Sequence, residues 1–228
     1  MKNAFLFVFA LCFVSISCKK DSTPPAVTPV DKYMTFTTGS TWNFEKVSNP
    51  SSATPVTTNY TITSSSRDTT INAKQYHVFE NSSGGVNEYF YTNGNDYYTY
   101  RTLPSDFGNE YVEIIYLKDN APAGTVWSQT YPITYLGSAL QITLTNKIEE
   151  RDITKTINGK AYTDVIKVST NITATGIPFP HTITDEINNY YAPKYGAIKE
   201  ETKINLTVTG LPPSNFEEDI KLMSATLK

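Results

Sequence analysis

The residues able to do metal, acid–base or nucleophilic chemistry are few in this chain. It has two histidines: His77 sits inside a strand-like run beside Tyr76, and His181 follows Pro178-Phe179-Pro180. A zinc site needs three or four convergent His, Cys or carboxylate ligands, and two scattered imidazoles do not supply them, so no metal is expected. No Gly-x-Ser-x-Gly elbow exists, and a serine near a histidine carries no information in a chain this rich in serine, so neither histidine is read as catalytic. The acidic groups Glu149-Glu150, Asp185-Glu186, Glu200-Glu201 and Glu217-Glu218-Asp219 are adjacent in sequence. A glycosidase sets two carboxylates about 5 to 9 Å apart across a cleft, whereas neighbours on a strand point to opposite faces. Most of these acids are read as solvated strand surface. Phosphate loops and dinucleotide-binding glycine fingerprints are absent, so the expectation is a protein that is not an enzyme and carries no cofactor. A formal charge of −3 with no basic stripe argues against nucleic acid as partner.

The aromatic residues are the remaining candidates for contact with a ligand. Tyr89-Phe90-Tyr91 and Tyr97-Tyr98 with Tyr100 flank Asn93-Gly94, a dipeptide that supplies the positive φ of a tight hairpin, so they form a cross-strand ladder. Consecutive strand residues alternate faces, so some rings lie on the wetter side, where Tyr stacks on sugars or anchors a protein partner. Tyr89, Tyr91, Tyr98 and Tyr100 are therefore the candidate ligand-binding residues.

The elements that must position them are strands. The chain is 39% hydrophobic and 18% charged, with 16 Tyr and 11 Phe, a mix that favours sheet. Leu140, Ile142, Leu144 and Ile148 alternate with polar residues, as do Ile198, Ile204, Leu206 and Val208. Period two with one polar face means antiparallel sheet. The chain also reads as written twice. Gly39-Ser40-Thr41-Trp42 recurs as Gly124-Thr125-Val126-Trp127, the run from Arg67 to Tyr76 recurs as Arg151 to Tyr162, and Leu103-Pro104-Ser105-Asp106-Phe107 recurs from Leu211 to Phe216. Two β repeats, 33–119 and 120–228, follow, each of about six strands. The expected fold is all-β, an antiparallel meander of about twelve strands, curved or barrel-like with an apolar concave side. Two separate six-stranded units are the alternative.

The N-terminus has a different character. Lys2, an apolar run from Ala4 to Val14 and Ser15-Ile16-Ser17-Cys18 read as a signal peptide over 1–17. The apolar run is little more than half of the ~20 residues a spanning helix needs. Ser17-Cys18 resembles the lipobox of bacterial lipoproteins, in which the cysteine is acylated, and Cys-Lys-Lys-Asp resembles Bacteroidota lipoproteins with relaxed lipoboxes. Residues 18–32 then form a lipidated, proline-rich tether, extended at ~3.1 Å per residue. Of the two cysteines, Cys12 falls in the signal, so no disulfide is expected in the domain. The two Gly-x-x-Trp segments and the run Tyr190-Tyr191-Ala192-Pro193-Lys194-Tyr195-Gly196-Ala197-Ile198-Lys199-Glu200 likewise resemble uncharacterised Bacteroidota lipoproteins, a resemblance that implies no established activity.

The expectation for function is a lipoprotein of the cell envelope, lipid-anchored in the outer membrane on a face left open, acting as a non-catalytic binding module for an apolar or glycan ligand. The alternative is an envelope structural lipoprotein that contacts other proteins and holds no small molecule. The anchor is tested by metabolic labelling with an alkyne fatty acid, which should tag the native chain and leave Cys18→Ala unlabelled; equal labelling of both would refute it.

Overall fold

The structure, a computed structural model, describes residues 32–48, 54–82, 84–103, 111–135 and 138–228. The signal segment, Cys18 and the tether up to residue 31 lie outside the described residues, as do residues 104–107 of the Leu-Pro motif. Within them the alternating apolar pattern becomes twelve strands and no helix. These are β1 (Thr41–Ser48), β2 (Val56–Ile71), β3 (Lys74–Asn81), β4 (Glu88–Asn93), β5 (Asp96–Thr102), β6 (Tyr111–Lys118), β7 (Val126–Tyr135), β8 (Ser138–Ile157), β9 (Lys160–Thr175), β10 (His181–Ala192), β11 (Gly196–Val208) and β12 (Ser214–Thr226).

All twelve belong to one antiparallel sheet in the order β6-β5-β4-β3-β2-β1-β12-β11-β10-β9-β8-β7. Each sequence neighbour pairs with the next, as short connections require, except at one place. The first strand pairs with the last, Trp42 opposite Ala225 and Lys46 opposite Ile220, while β6 and β7 are left as the two edges. The sheet curls into a nearly closed barrel. Register shifts at Asn43/Phe44, at Tyr190/Tyr191 and three times along β8 between Ile148 and Lys155 supply local bends, since an extra residue in one strand increases its twist.

Closure at the β6–β7 seam is made by side chains. Residues 127, 129 and 131 lie on one face of β7 and reach across to the backbone of β6. Trp127 Nε1 donates to Ile115 O at 2.8 Å, Ile115 N donates to Gln129 Oε1 at 2.6 Å, Gln129 Nε2 donates to Glu113 O at 3.1 Å, and Tyr131 OH donates to the same carbonyl at 2.7 Å. An edge strand left bare offers its N–H and C=O groups to any other chain; here the neighbouring strand's side chains take them.

Apolar inward-facing residues form two clusters. One gathers Trp42, Phe44, Ile62, Phe79, Ile148, Ile166, Ile198 and Leu222, the other Leu103, Val112, Tyr131, Ile133, Leu140, Ile142, Leu206 and Val208. The residues before β1 close the barrel at the end where that strand begins. Tyr33 N donates to Tyr97 OH at 3.0 Å, Tyr33 OH donates to Asp164 O at 2.5 Å, and Met34 bridges to Tyr195. A Cβ on Gly196, whose φ is 71°, would lie 2.6 Å from Met34 Sδ, so the glycine of the Tyr-Tyr-Ala-Pro run serves both a left-handed turn and this close approach.

Both Gly-x-x-Trp segments make the same pair of bonds. Gly39 N donates to Ser64 O and Ser64 N to Ser40 O; Gly124 N donates to Ile148 O and Ile148 N to Thr125 O. Trp42 and Trp127 are each the second residue of their strand, but Trp42 is fully buried whereas Trp127, at the β6–β7 seam, is half-buried. The Asn158-Gly159 turn has both residues at positive φ, as does Asn72-Ala73. The third turn falls one residue later than the Asn-Gly reading placed it: Asn93 still pairs with Asp96, so Gly94-Asn95 is the two-residue loop. Strands β9, β10 and β11 have 16, 12 and 13 residues against 8, 6 and 7 in β3, β4 and β5.

Gln129→Ala removes the acceptor of Ile115 N–H and one of the donors to Glu113 O. Leaving such groups unmet costs about 1–3 kcal/mol, so urea unfolding should show a loss of that size with faster hydrogen exchange at the Ile115 amide. An unchanged midpoint and exchange rate would mean that the seam is not held this way.

Candidate functional site

Closing the sheet creates a lumen, and it contains a cavity of about 160 Å³. Its wall is mainly aliphatic and aromatic, with Trp42, Phe44, Phe90, Ile142, Ile172 and Ile204 among its residues. Alternate positions of a strand reach it as a set, because side chains alternate faces: Thr99 and Arg101 from β5, continued by Leu103 just after it, and Glu200, Thr202 and Ile204 from β11. The concave side is thus apolar with a charged inclusion, which corrects the reading of Glu200 and Glu218 as solvated surface. Glu200 is in phase with Ile204 and Leu206, so the alternation that buries them turns it inward too.

The lumen holds charges of both signs. Lys46 Nζ lies 3.2 Å from Glu218 Oε2. Arg101 lines the cavity and keeps contact with solvent; desolvation works against its charge, but Glu200 and Glu88 outweigh that and hold its pKa above the ordinary arginine value. Burial pushes Glu200 up, with Arg101 opposing. It pushes Glu88 up to about 7, reinforced by Glu200 and opposed by Arg101. Tyr60, Tyr116 and Tyr191 are raised by the same burial, so their phenols stay neutral. Two buried donors on the cavity wall lack partners: Trp42 Nε1 and Asn146 Nδ2.

The four candidate tyrosines lie on the other face of the wall, out of the lumen. Tyr91 and Tyr98 are opposite each other with rings 5.4 Å apart, and Tyr89 meets Tyr100 edge-on at 6.5 Å. Tyr76 sits beneath them, against Tyr91 and Tyr100. Tyr98 is buried and the other three are half-buried. Lys74 Nζ stands 4.5 Å over the Tyr98 ring and 2.5 Å from Glu113, which also accepts from Tyr76 OH at 2.5 Å. The rings are therefore a packed ledge on the outer wall, with Tyr111 stacked on Tyr100 at its exposed rim.

A Ser-His-Asp arrangement is present that sequence reasoning missed. His77 Nε2 is 2.8 Å from Ser64 Oγ, and His77 Nδ1 is 2.7 Å from Asp68 Oδ1. Half of it was available from the Asn72-Ala73 turn, since counting back along the hairpin puts Asp68 opposite His77. Ser64 was not, because a bulge between Ser64 and Asp68 resets the register. The geometry holds rather than reacts. Ser64 is 0% exposed, its hydroxyl donates to Phe36 O at 3.0 Å, and the Phe36 ring stacks on the imidazole at 5.4 Å. A nucleophile must reach its substrate; this one clamps the segment that closes the barrel. His181 is elsewhere, beside the carbonyls of Phe179 and Ala174. Among the described residues no three His, Cys, Asp or Glu side chains converge as metal ligands.

Glu88 carries a pH signature. Its native pKa lies above the unfolded one, so the native state holds the proton more tightly; that stabilisation is complete below the ordinary carboxylate range and is lost as pH rises through about 7. Urea midpoints between pH 5 and 8 should therefore fall in the native chain relative to Glu88→Gln, and parallel curves would contradict a buried Glu88.

No protein-family model matches the chain, and no curated protein matches it in sequence. A solved structure, described as that of a "putative lipoprotein from Parabacteroides distasonis ATCC 8503", superposes with a TM-score of 0.50 at 13% identity, covering 87% of this chain and 100% of that one. The likeness establishes a shared fold, a barrel-like sheet that this chain has in common with the Parabacteroides protein.

Proposed function

We propose that this protein is a non-catalytic binding module, anchored in the outer membrane through lipid on Cys18, that holds an apolar or glycan ligand in the lumen of its barrel. The observation that carries the reading is the cavity, about 160 Å³ with a mainly apolar wall and a few inward polar groups, the usual make-up of a small-molecule site. A space of about that size accepts a molecule on the scale of benzene, so the ligand, or the part of it held inside, is small. The anchor rests on the lipobox-like Ser17-Cys18, and the fold shared with a protein described as a lipoprotein supports it. A second reading, an envelope protein that works by contacting other proteins, is favoured by the tyrosine ledge, whose rim Tyr111 is 43% exposed and which suits a partner surface.

Native mass spectrometry of the protein taken from its own envelope distinguishes the two. A bound small molecule is expected, together with a hydrophobic dye that binds saturably and is displaced by envelope lipid extract. A ligand-free protein with no saturable dye binding would turn the conclusion to the second reading.

A further inference from the structure

Trp42 and Asn146 stand on strands β1 and β8, which four strands separate along the sheet, so their side chains enter the lumen from different walls. Trp42 is 0% and Asn146 3% exposed, both line the cavity, and the indole Nε1–H and the amide Nδ2 have no acceptor. The amide is oriented from its other end, where Oδ1 accepts from Thr170 Oγ1 at 2.7 Å. The contrast with Trp127 is instructive, since that indole gives its proton to Ile115 O. Buried donors are nearly always satisfied because an unmet one destabilises the fold. Departures from that rule in native proteins concentrate at functional sites.

The lumenal charges decide what kind of acceptor belongs there. Lys46 lies against Glu218, and Arg101 feels both Glu200 and Glu88, so the lumen holds charges of both signs close together. An anion would meet Glu88 and Glu200, and a cation would meet Arg101. An uncharged molecule avoids both penalties, and desolvating it costs far less than desolvating an ion.

We propose that the lumen selects a small uncharged amphiphile, whose apolar body lies against the aliphatic wall and whose oxygen accepts from Trp42 Nε1 and Asn146 Nδ2. This rests on the lumen being the binding site and names the chemistry of what it holds. It also accounts for two destabilising donors in an otherwise well-satisfied wall.

The chain contains two tryptophans, so its ¹H–¹⁵N spectrum has two indole signals, assigned with Trp42→Phe and Trp127→Phe. Benzyl alcohol, benzoate and benzylamine share one ring and differ in charge. Titrated into the ¹⁵N-labelled full chain at pH 7, benzyl alcohol should shift the Trp42 signal saturably and leave that of Trp127 in place. The two charged probes should bind at least tenfold more weakly. Asn146→Leu/Thr170→Val, which also removes the hydroxyl that loses its acceptor, should weaken benzyl alcohol at least tenfold while raising the Tm of the free protein. Equal affinity for a charged probe, or an unchanged affinity in the double variant because water alone meets these donors, would overturn the proposal. If benzyl alcohol leaves Trp42 unmoved while the hydrophobic dye still binds and is displaced by envelope extract, the donor assignment falls and the binding-module reading stands. Loss of both signals removes both.

Discussion

Everything inside this protein depends on how a twelve-strand sheet disposes of its two edges. Strands β6 and β7 are consecutive in sequence and are joined by residues 119–125, yet they are the pair that no backbone ladder unites. A ladder joins β1 to β12 instead, so the ring is sealed by main chain on one side and by Trp127, Gln129 and Tyr131 on the other. The amide of Gln129 is suited to this place because it carries a donor and an acceptor together and so replaces one rung of a ladder. Sheets of this size curl or split because strand twist accumulates. Curling brings the edges near each other, and the side-chain seal turns proximity into closure.

Closure then changes the chemistry of every inward residue. Glu88, Arg101 and Glu200 would be ordinary surface groups on an open sheet; in the lumen they act on one another's ionisation. The raised pKa values of Glu88 and Glu200, with burial as their first cause, express that environment. The same enclosure leaves a cavity among the inward side chains, although Tyr116 and Tyr191 from different strands meet inside it with rings 5.3 Å apart. The Ser64-His77-Asp68 contact shows the complementary case. It has the distances of a catalytic triad, and its burial under Phe36 makes it a clamp.

Much of this architecture is legible in the residues themselves. The period-two alternation of Leu140, Ile142 and Leu144 appears as buried positions along β8, and Asn158-Gly159 sits in a tight turn with both residues at positive φ. The turn lies one residue later than Asn93-Gly94, because Asn93 is still in the ladder opposite Asp96. The tyrosine ladder lies where the hairpin predicts, but on the outer wall, away from the cavity. A hairpin specifies which residues share a face and is silent on which face becomes the interior.

By itself the sequence determined the local terms: strand or turn at each segment, the pairing of neighbours across short loops, and which side chains fall on the same face. Those follow from backbone sterics and alternation, which act over a few residues. Only the tertiary structure decided that β1 meets β12, that Gln129 closes the opposite seam, and that Arg101, Glu200, Trp42 and Asn146 share one lumen. These residues are brought together from β5, β11, β1 and β8 by the curl of the whole sheet and by bulges that reset register at particular points. No pattern within one strand encodes where the far wall will stand, because that distance is set by the summed twist of all twelve.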